Sequence, residues 1–379
     1  MSTTLFTPIK VGTSLLKHRV ALAPLTRLRA DADHVPTPMM TEYYQQRASE
    51  GGLLISEGTF IAEDAGVYPS APGIYNDRQI EAWKHITKAV HDKGGFIYVQ
   101  LWHVGRASSP AFIPGNKIPV SASAIAINGK DLIGHDYKVP RALETEEISQ
   151  LVQTYANAAR NAISAGFDGV ELHGANGYLI DQFLNTSSNI RTDQYGGSIE
   201  NRTRFALEVI EGVSKAIGED RTAIRLSPWS GFQDMKDDTP YETWGYLVSQ
   251  LQEKHPNLAY LHFIEPRDDN ITTMFPEIDR TEIIENDTIE PFHKAWKGPF
   301  ISAGGYTTTP KRAFETTERL ENTLVAFGRS FIANPDLPLR LKNDSPLNKY
   351  NRATFYSSGN AGYTDYPFYN PDTANDIKN

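Results

Sequence analysis

The sequence contains no cysteine. Disulfides, cysteine metal sites, iron–sulfur clusters and thiol nucleophiles are thereby excluded, and no metal site is expected. It also has no apolar run near the roughly 18 residues needed to span a bilayer. Met1 to Phe6 lacks a basic region followed by an apolar one, the pattern of a secretory signal. Asp376 to Asn379 shows neither a lipidation nor a peroxisomal pattern. The expectation is a cytoplasmic protein with no membrane partner. Basic residues are the minority: 37 Lys and Arg against 46 Asp and Glu leave a net charge of −9. That balance argues against a general nucleic-acid binder, while leaving a local basic patch open.

What is present is an ordinary globular composition: 379 residues, 40% hydrophobic and 22% charged, enough for a large core. Eight short apolar runs end in polar or glycine residues and read as strands. They are Arg19 to Leu25, Leu53 to Ser56, Phe96 to Trp102, Gly169 to His173, Thr222 to Ser227, Leu258 to Phe263, Pro299 to Ala303 and Thr323 to Phe327. Between them lie helix-like segments at Thr41 to Glu50, Asp77 to Lys93, Thr145 to Ala165, Ile199 to Ile217, Pro240 to Lys254 and Pro310 to Leu320. Thr145, followed by two glutamates, is the expected N-cap of the third.

Strand and helix in alternation predict an α/β fold, a single (β/α)8 TIM barrel. The units share no motif, which argues against a solenoid. One domain over 1–379 is expected. Within it, residues 1–18 form a hairpin closing the barrel bottom, 103–144 form a long capping insertion after strand 3, and 343–379 form an aromatic C-terminal tail. Long loops of this kind are usually functional or mobile.

One stretch organises the chain. Gly169 to Leu184 begins as a buried strand, breaks at His173-Gly174 and passes Asn176, Gly177 and Tyr178 into a second apolar segment. An imidazole N–H and a carboxamide are both donors. Two converging donors suit a carbonyl oxygen that gains charge during reaction, and a phenol close by can supply a proton. A histidine at a strand end is also a common structural residue, so this stretch alone leaves both readings open.

Catalytic groups of such barrels come from the C-terminal ends of different strands. Thr26, Gly58, Gln100, His173, Arg225, Gly304, Gly328 and Arg329 occupy those positions. Arg225 lies inside an apolar strand and needs an anion, a carboxylate partner or other acceptors. Ser302-Ala-Gly-Gly305 and Phe327-Gly-Arg-Ser330 put flexible backbone and a guanidinium where barrels often bind phosphate. Two ordinary strand-to-helix turns would look similar. Taken together, the set describes a planar cofactor with a phosphate lying across the mouth. Gln100 and Thr26 would meet its heteroatoms, and Arg225 would neutralise it when reduced.

At this point the chain resembles the old yellow enzyme family of FMN-dependent ene-reductases over nearly its whole length. The matching motifs are Ala23-Pro24-Leu25-Thr26-Arg27, Glu57-Gly58-Thr59, Gln100-Leu101-Trp102, His173 to Leu184, Arg191 to Arg202, Arg225-Leu-Ser-Pro228, Phe327-Gly-Arg329 and Thr354-Phe-Tyr356. Thr26, Trp102 and the lack of cysteine are similar to the classical yeast and plant branch.

The resemblance implies a cycle in which NADPH gives a hydride to FMN and the flavin passes it to the β-carbon of an enone, enal or nitroalkene. His173 and Asn176 would hold the substrate oxygen, each donor worth about 3 kcal/mol. Tyr178 would protonate the α-carbon. Pro24, Leu25, Thr26, Gly58, Gln100, His173, Arg225, Gly304, Gly305, Gly328 and Arg329 would bind the cofactor. Trp102 and Tyr356 would line the substrate pocket with His173 and Asn176. Phenols would bind as enolate mimics. A monomer or homodimer is implied. Two alternatives remain at this level. One is an unsaturated-aldehyde reductase of fungal alkaloid metabolism. The other is a flavin-free sugar-phosphate lyase barrel, which would normally carry a strand-end lysine that is not seen here. A flavin-binding protein without turnover is a third reading, which the intact His173, Asn176 and Tyr178 disfavour.

Overall fold

The structure is a computed structural model. It describes residues 3–66, 68–131, 133–266 and 287–371. The tail beyond 371, including Asp376 to Asn379, lies outside the described residues.

The chain opens with an antiparallel hairpin, β1 (Ile9–Val11) and β2 (Ser14–Leu16). Alternation turns Ile9, Val11 and Leu16 inward, against Leu53, Tyr98, Ala223, Ala259, Ile301 and Leu324. These residues stand at the starts of the barrel strands, so the hairpin plugs the barrel bottom, as expected. The barrel itself comprises β3 (Val20–Leu22), β4 (Leu53–Phe60) and β5 (Phe96–Trp102). A short parallel pair, β6 (Val120–Ser121) and β7 (Arg141–Ala142), belongs to the insertion. Then come β8 (Gly169–Gly174), β9 (Thr222–Leu226), β10 (Tyr260–Ile264), β11 (Phe300–Ala303) and β12 (Thr323–Phe327). The eight barrel strands pair in parallel in chain order, and β12 closes onto β3.

β5 and β12 keep the limits read from the sequence, and β8, β9 and β11 keep them to within one residue. β3 is shorter, because Pro24 has no N–H for the ladder; the last bond on that side is Ala23 N–H to Phe327 O. β4 is longer. It does not stop at Ser56 but runs to Phe60 across a bulge between Ile55 and Gly58. Bulges re-aim side chains near active sites.

Helices cover the outside through apolar stripes. The Asp77–His91 helix buries Trp83, Ile86 and Val90, and the Ile199–Ile217 helix buries Phe205, Val209 and Val213. Three helix starts differ from expectation, among them the segment expected from Pro310, whose helix runs Arg312–Arg319. The first helix is Pro38–Arg47, shifted upstream because Pro38 suits the first helical turn. The third is capped by Glu144 and not by Thr145: Glu144 and Glu147 form a reciprocal capping box, leaving Thr145 as the first helical residue. No described helix is long and apolar enough to cross a membrane.

The C-terminal segment is strapped over the loop that follows β3 by buried arginines. Arg27 donates to Phe355 O at 3.1 Å and Gly362 O at 2.7 Å, and Arg29 to Phe355 O at 3.0 Å and Thr354 O at 3.1 Å. Five fixed donors per guanidinium let one side chain hold several carbonyls. The strap places Tyr356 at the barrel mouth.

Candidate active site

β8 ends at His173-Gly174. Two consecutive left-handed residues follow, Asn176 at φ 56° and Gly177 at φ 75°. Asparagine tolerates that region better than most residues. Glycine is required at 177 on a second count: a Cβ there would come 3.0 Å from the carbonyl oxygen of Phe232. The turn is pinned on three sides. Asn176 N–H donates to Ser227 Oγ at 2.8 Å, Gly177 N–H to Asp181 Oδ2 at 2.8 Å, and Gln182 Nε2 to Gly177 O at 2.7 Å. Gln182 also donates to Val104 O at 3.0 Å and accepts from Arg106 N–H at 3.1 Å and Ser121 Oγ at 3.0 Å. The 103–144 insertion is thus fastened to the helix Leu179–Leu184 that follows the turn.

The turn brings three of the expected side chains together. The His173 and Tyr178 rings meet edge to face, centroids 4.8 Å apart. Trp102 lies 4.9 Å from Tyr178 and 6.1 Å from His173. Phe60 and Tyr68 each lie parallel to Trp102 at 5.1 Å. Gly58 serves that stack, since a Cβ there would sit 2.7 Å from the indole.

Electrostatics set the protonation states. Burial, then the nearby Arg225 and His262, hold the His173 imidazole well below its ordinary range. It is therefore neutral and carries one N–H; its Nδ1 is buried with no partner. Burial raises the Tyr178 phenol, against the opposing pull of Tyr68 and Gln233. It stays protonated, and so remains a proton donor, at neutral pH. Asp181, beneath the turn, is lifted by burial to about 7 although Gly177 N–H and Asn185 donate to it.

Across the mouth, Pro24, Leu25, Arg225, Gly304, Gly305, Gly328 and Arg329 line one open cleft. Gly304 and Gly305 have φ of 112° and 75°, which only glycine adopts in succession without strain. Arg329 is held beside Tyr350, its Nη1 3.4 Å from the phenol oxygen. Arg225 joins the two halves, being paired in register with His173 on one side and His262 on the other. Thr26 is half-buried just past this cleft. Tyr356 is 53% exposed at the rim.

Gln100 is buried inside the barrel. Its Nε2 donates to Glu171 Oε1 at 2.7 Å, and Glu171 Oε2 lies 2.7 Å from His262 Nδ1. The sequence reading did not single out Glu171, His262, Tyr68 or Gln233. Glu171 was within sight, since i, i+2 alternation puts it on the same inner face as His173. Tyr68 and Gln233 stand in loops with no periodicity to reveal them.

These residues fit FMN. Left-handed glycines and Arg329 form a cradle for a phosphate, Arg225 supplies positive charge beside it, and an imidazole with an unpartnered nitrogen, His173, is paired in register with Arg225. A parallel barrel with such a mouth is an oxidoreductase of the flavin type. The chain belongs to the NADH:flavin oxidoreductase / NADH oxidase family, whose pattern it matches over residues 4–348. This confirms the old yellow enzyme resemblance. It is 48% identical to flavin oxidoreductase hxnT of Emericella nidulans over 96% of this chain and 97% of that protein. Among solved structures it is similar to morphinone reductase, with a TM-score of 0.89, 43% identity and 98% of each chain covered; one structure of that enzyme holds tetrahydroNAD. It is also similar to an old yellow enzyme homologue from Zymomonas mobilis, with a TM-score of 0.87, 41% identity, and 96% and 99% covered.

Proposed function

We propose that the protein is an ene-reductase that takes NADPH as co-substrate and reduces an α,β-unsaturated carbonyl or nitro compound. The reading is carried by one observation: a neutral imidazole, His173, sits against a protonated phenol, Tyr178, on the strand next to Arg225 of an arginine-lined cleft. Bound FMN would supply the hydride transfer, from the nicotinamide to the alkene β-carbon. Pro24, Leu25, Thr26 and Gln100 would hold its ring, Gly304, Gly305, Gly328 and Arg329 its phosphate, and Arg225 its negative charge when reduced.

The remaining chemistry belongs to the side chains. His173 and Asn176 donate to the substrate oxygen, which gains charge as the alkene is reduced. Because His173 is neutral, it stabilises that oxygen without surrendering a proton to it. Tyr178 delivers the proton to the α-carbon and regains one from solvent. One hydride and one proton thus saturate the alkene. Trp102 and Tyr356 bound the pocket where the alkene lies.

Tyr178→Phe tests the assignment by stopped flow. Reduction of the enzyme by NADPH should be unchanged, and the alkene half-reaction should slow by about 10²–10⁴-fold. Equal losses in both steps would remove Tyr178 from the role of proton donor.

A further inference from the structure

Beneath the mouth, five polar side chains occupy two inward-facing layers of the barrel. Gln100 pairs in register with Glu171, and His173, Arg225 and His262 pair across β8, β9 and β10. Glu171 and His262 are fully buried, and Gln100 is nearly so. None of the steps above uses Glu171 or His262, and burying a carboxylate is costly unless it is paired and hydrogen-bonded.

Burial works to raise the Glu171 carboxyl. His262, Arg225 and Gln100 outweigh it and hold the group below its ordinary range. It is therefore ionised, and an ionised carboxylate only accepts hydrogen bonds. That fixes its neighbours. The Gln100 atom 2.7 Å from Glu171 Oε1 must be the NH2, and the His262 nitrogen 2.7 Å from Oε2 must carry the hydrogen. The Gln100 carbonyl oxygen is then left as the atom it offers to anything else. Two rigid donor–acceptor contacts remove the amide's freedom to flip.

We propose that Glu171 and His262 are positioning residues that lock Gln100 with its oxygen presented as an acceptor to the imide N–H of the flavin ring. The inference rests on the FMN reading above. It also assigns Glu171 a second effect: its carboxylate offsets part of the Arg225 charge beside the same ring.

The test compares FMN with 3-methyl-FMN, whose imide nitrogen has no hydrogen to donate. Affinities of the full-length apoprotein for both are measured by flavin fluorescence, for the wild type and Glu171→Gln. A neutral amide at 171 can donate to the Gln100 oxygen and so lets Gln100 turn over. Wild type should prefer FMN by at least about tenfold, and the variant's preference should fall at least about threefold. General loosening would weaken both flavins equally and leave the ratio unchanged; an unchanged ratio overturns the proposal. The midpoint potential of the variant holoenzyme should rise by about 30 mV, a tenfold change in relative affinity for the two redox states of a two-electron couple. If Glu171→Gln is not soluble, His262→Gln is judged by the same ratio. A wild-type protein that takes up neither flavin would instead remove the reading of function.

Discussion

The backbone N–H of Asn176 donates to Ser227 Oγ at 2.8 Å, tying the turn after β8 to the end of β9. The bond holds Asn176 at φ 56°, so its side chain and its conformation can be tested apart. Asn176→Gly keeps the left-handed turn and loses the carboxamide. Asn176→Ala loses the carboxamide and adds strain of about 1–2 kcal/mol. Urea unfolding should find the alanine variant less stable than the glycine variant by about 1 kcal/mol. Phenol titration should find both weakened to a similar degree, about tenfold for one lost hydrogen bond to a charged oxygen. Equal stabilities would show that the left-handed turn imposes no cost at 176.

His173 offers a pH test. Its pKa is depressed, so the unfolded chain takes up the proton first and the folded imidazole stays neutral from pH 6 to 8. Phenol affinity over that range should follow ionisation of the phenol alone. His173→Ala should weaken binding by roughly ten- to a hundredfold, the loss of one or more such bonds. An extra rise in wild-type affinity as pH falls through 6.5, absent from the variant, would mean that a charged imidazole binds the ligand.

Asp181 lies under the same turn with its pKa raised from 3.8 to about 7. The folded chain therefore holds a proton that the unfolded chain has released. The stabilisation from that proton is complete below about pH 4 and is lost as pH rises through 7. Asp181→Asn removes the titration. Denaturation curves from pH 4 to 8 should show wild type losing ground to the variant as pH rises, by on the order of a few kcal/mol. Parallel stability profiles would show that Asp181 titrates normally.

The barrel was legible because its strands are buried on both faces and read as short apolar runs; β5 and β12 keep their predicted ends. Strand ends were harder where a local feature intervened. Pro24 shortened β3, and the bulge before Gly58 lengthened β4 past a glycine that reads as a stop. In the site, His173, Asn176 and Tyr178 were legible because they lie within six residues. Gln100 was expected near the cofactor, but its bond to Glu171 depends on the pairing register of β5 with β8, which no single segment encodes. Gly58 was expected to touch cofactor; the additional reason for a glycine there is the Trp102 ring lying over it. Tyr68 and Gln233 reach Tyr178 from loops whose course depends on the assembled mouth.

The central claim is that one barrel mouth carries out both halves of a flavin-linked reduction. It is tested most directly by absorbance of the purified protein under anaerobic conditions. Spectra are taken alone, after one equivalent of NADPH, and after cyclohexenone is then added. The account predicts a flavin band that bleaches with NADPH and returns with the enone. A protein with no flavin band, even after incubation with FMN, would contradict the account.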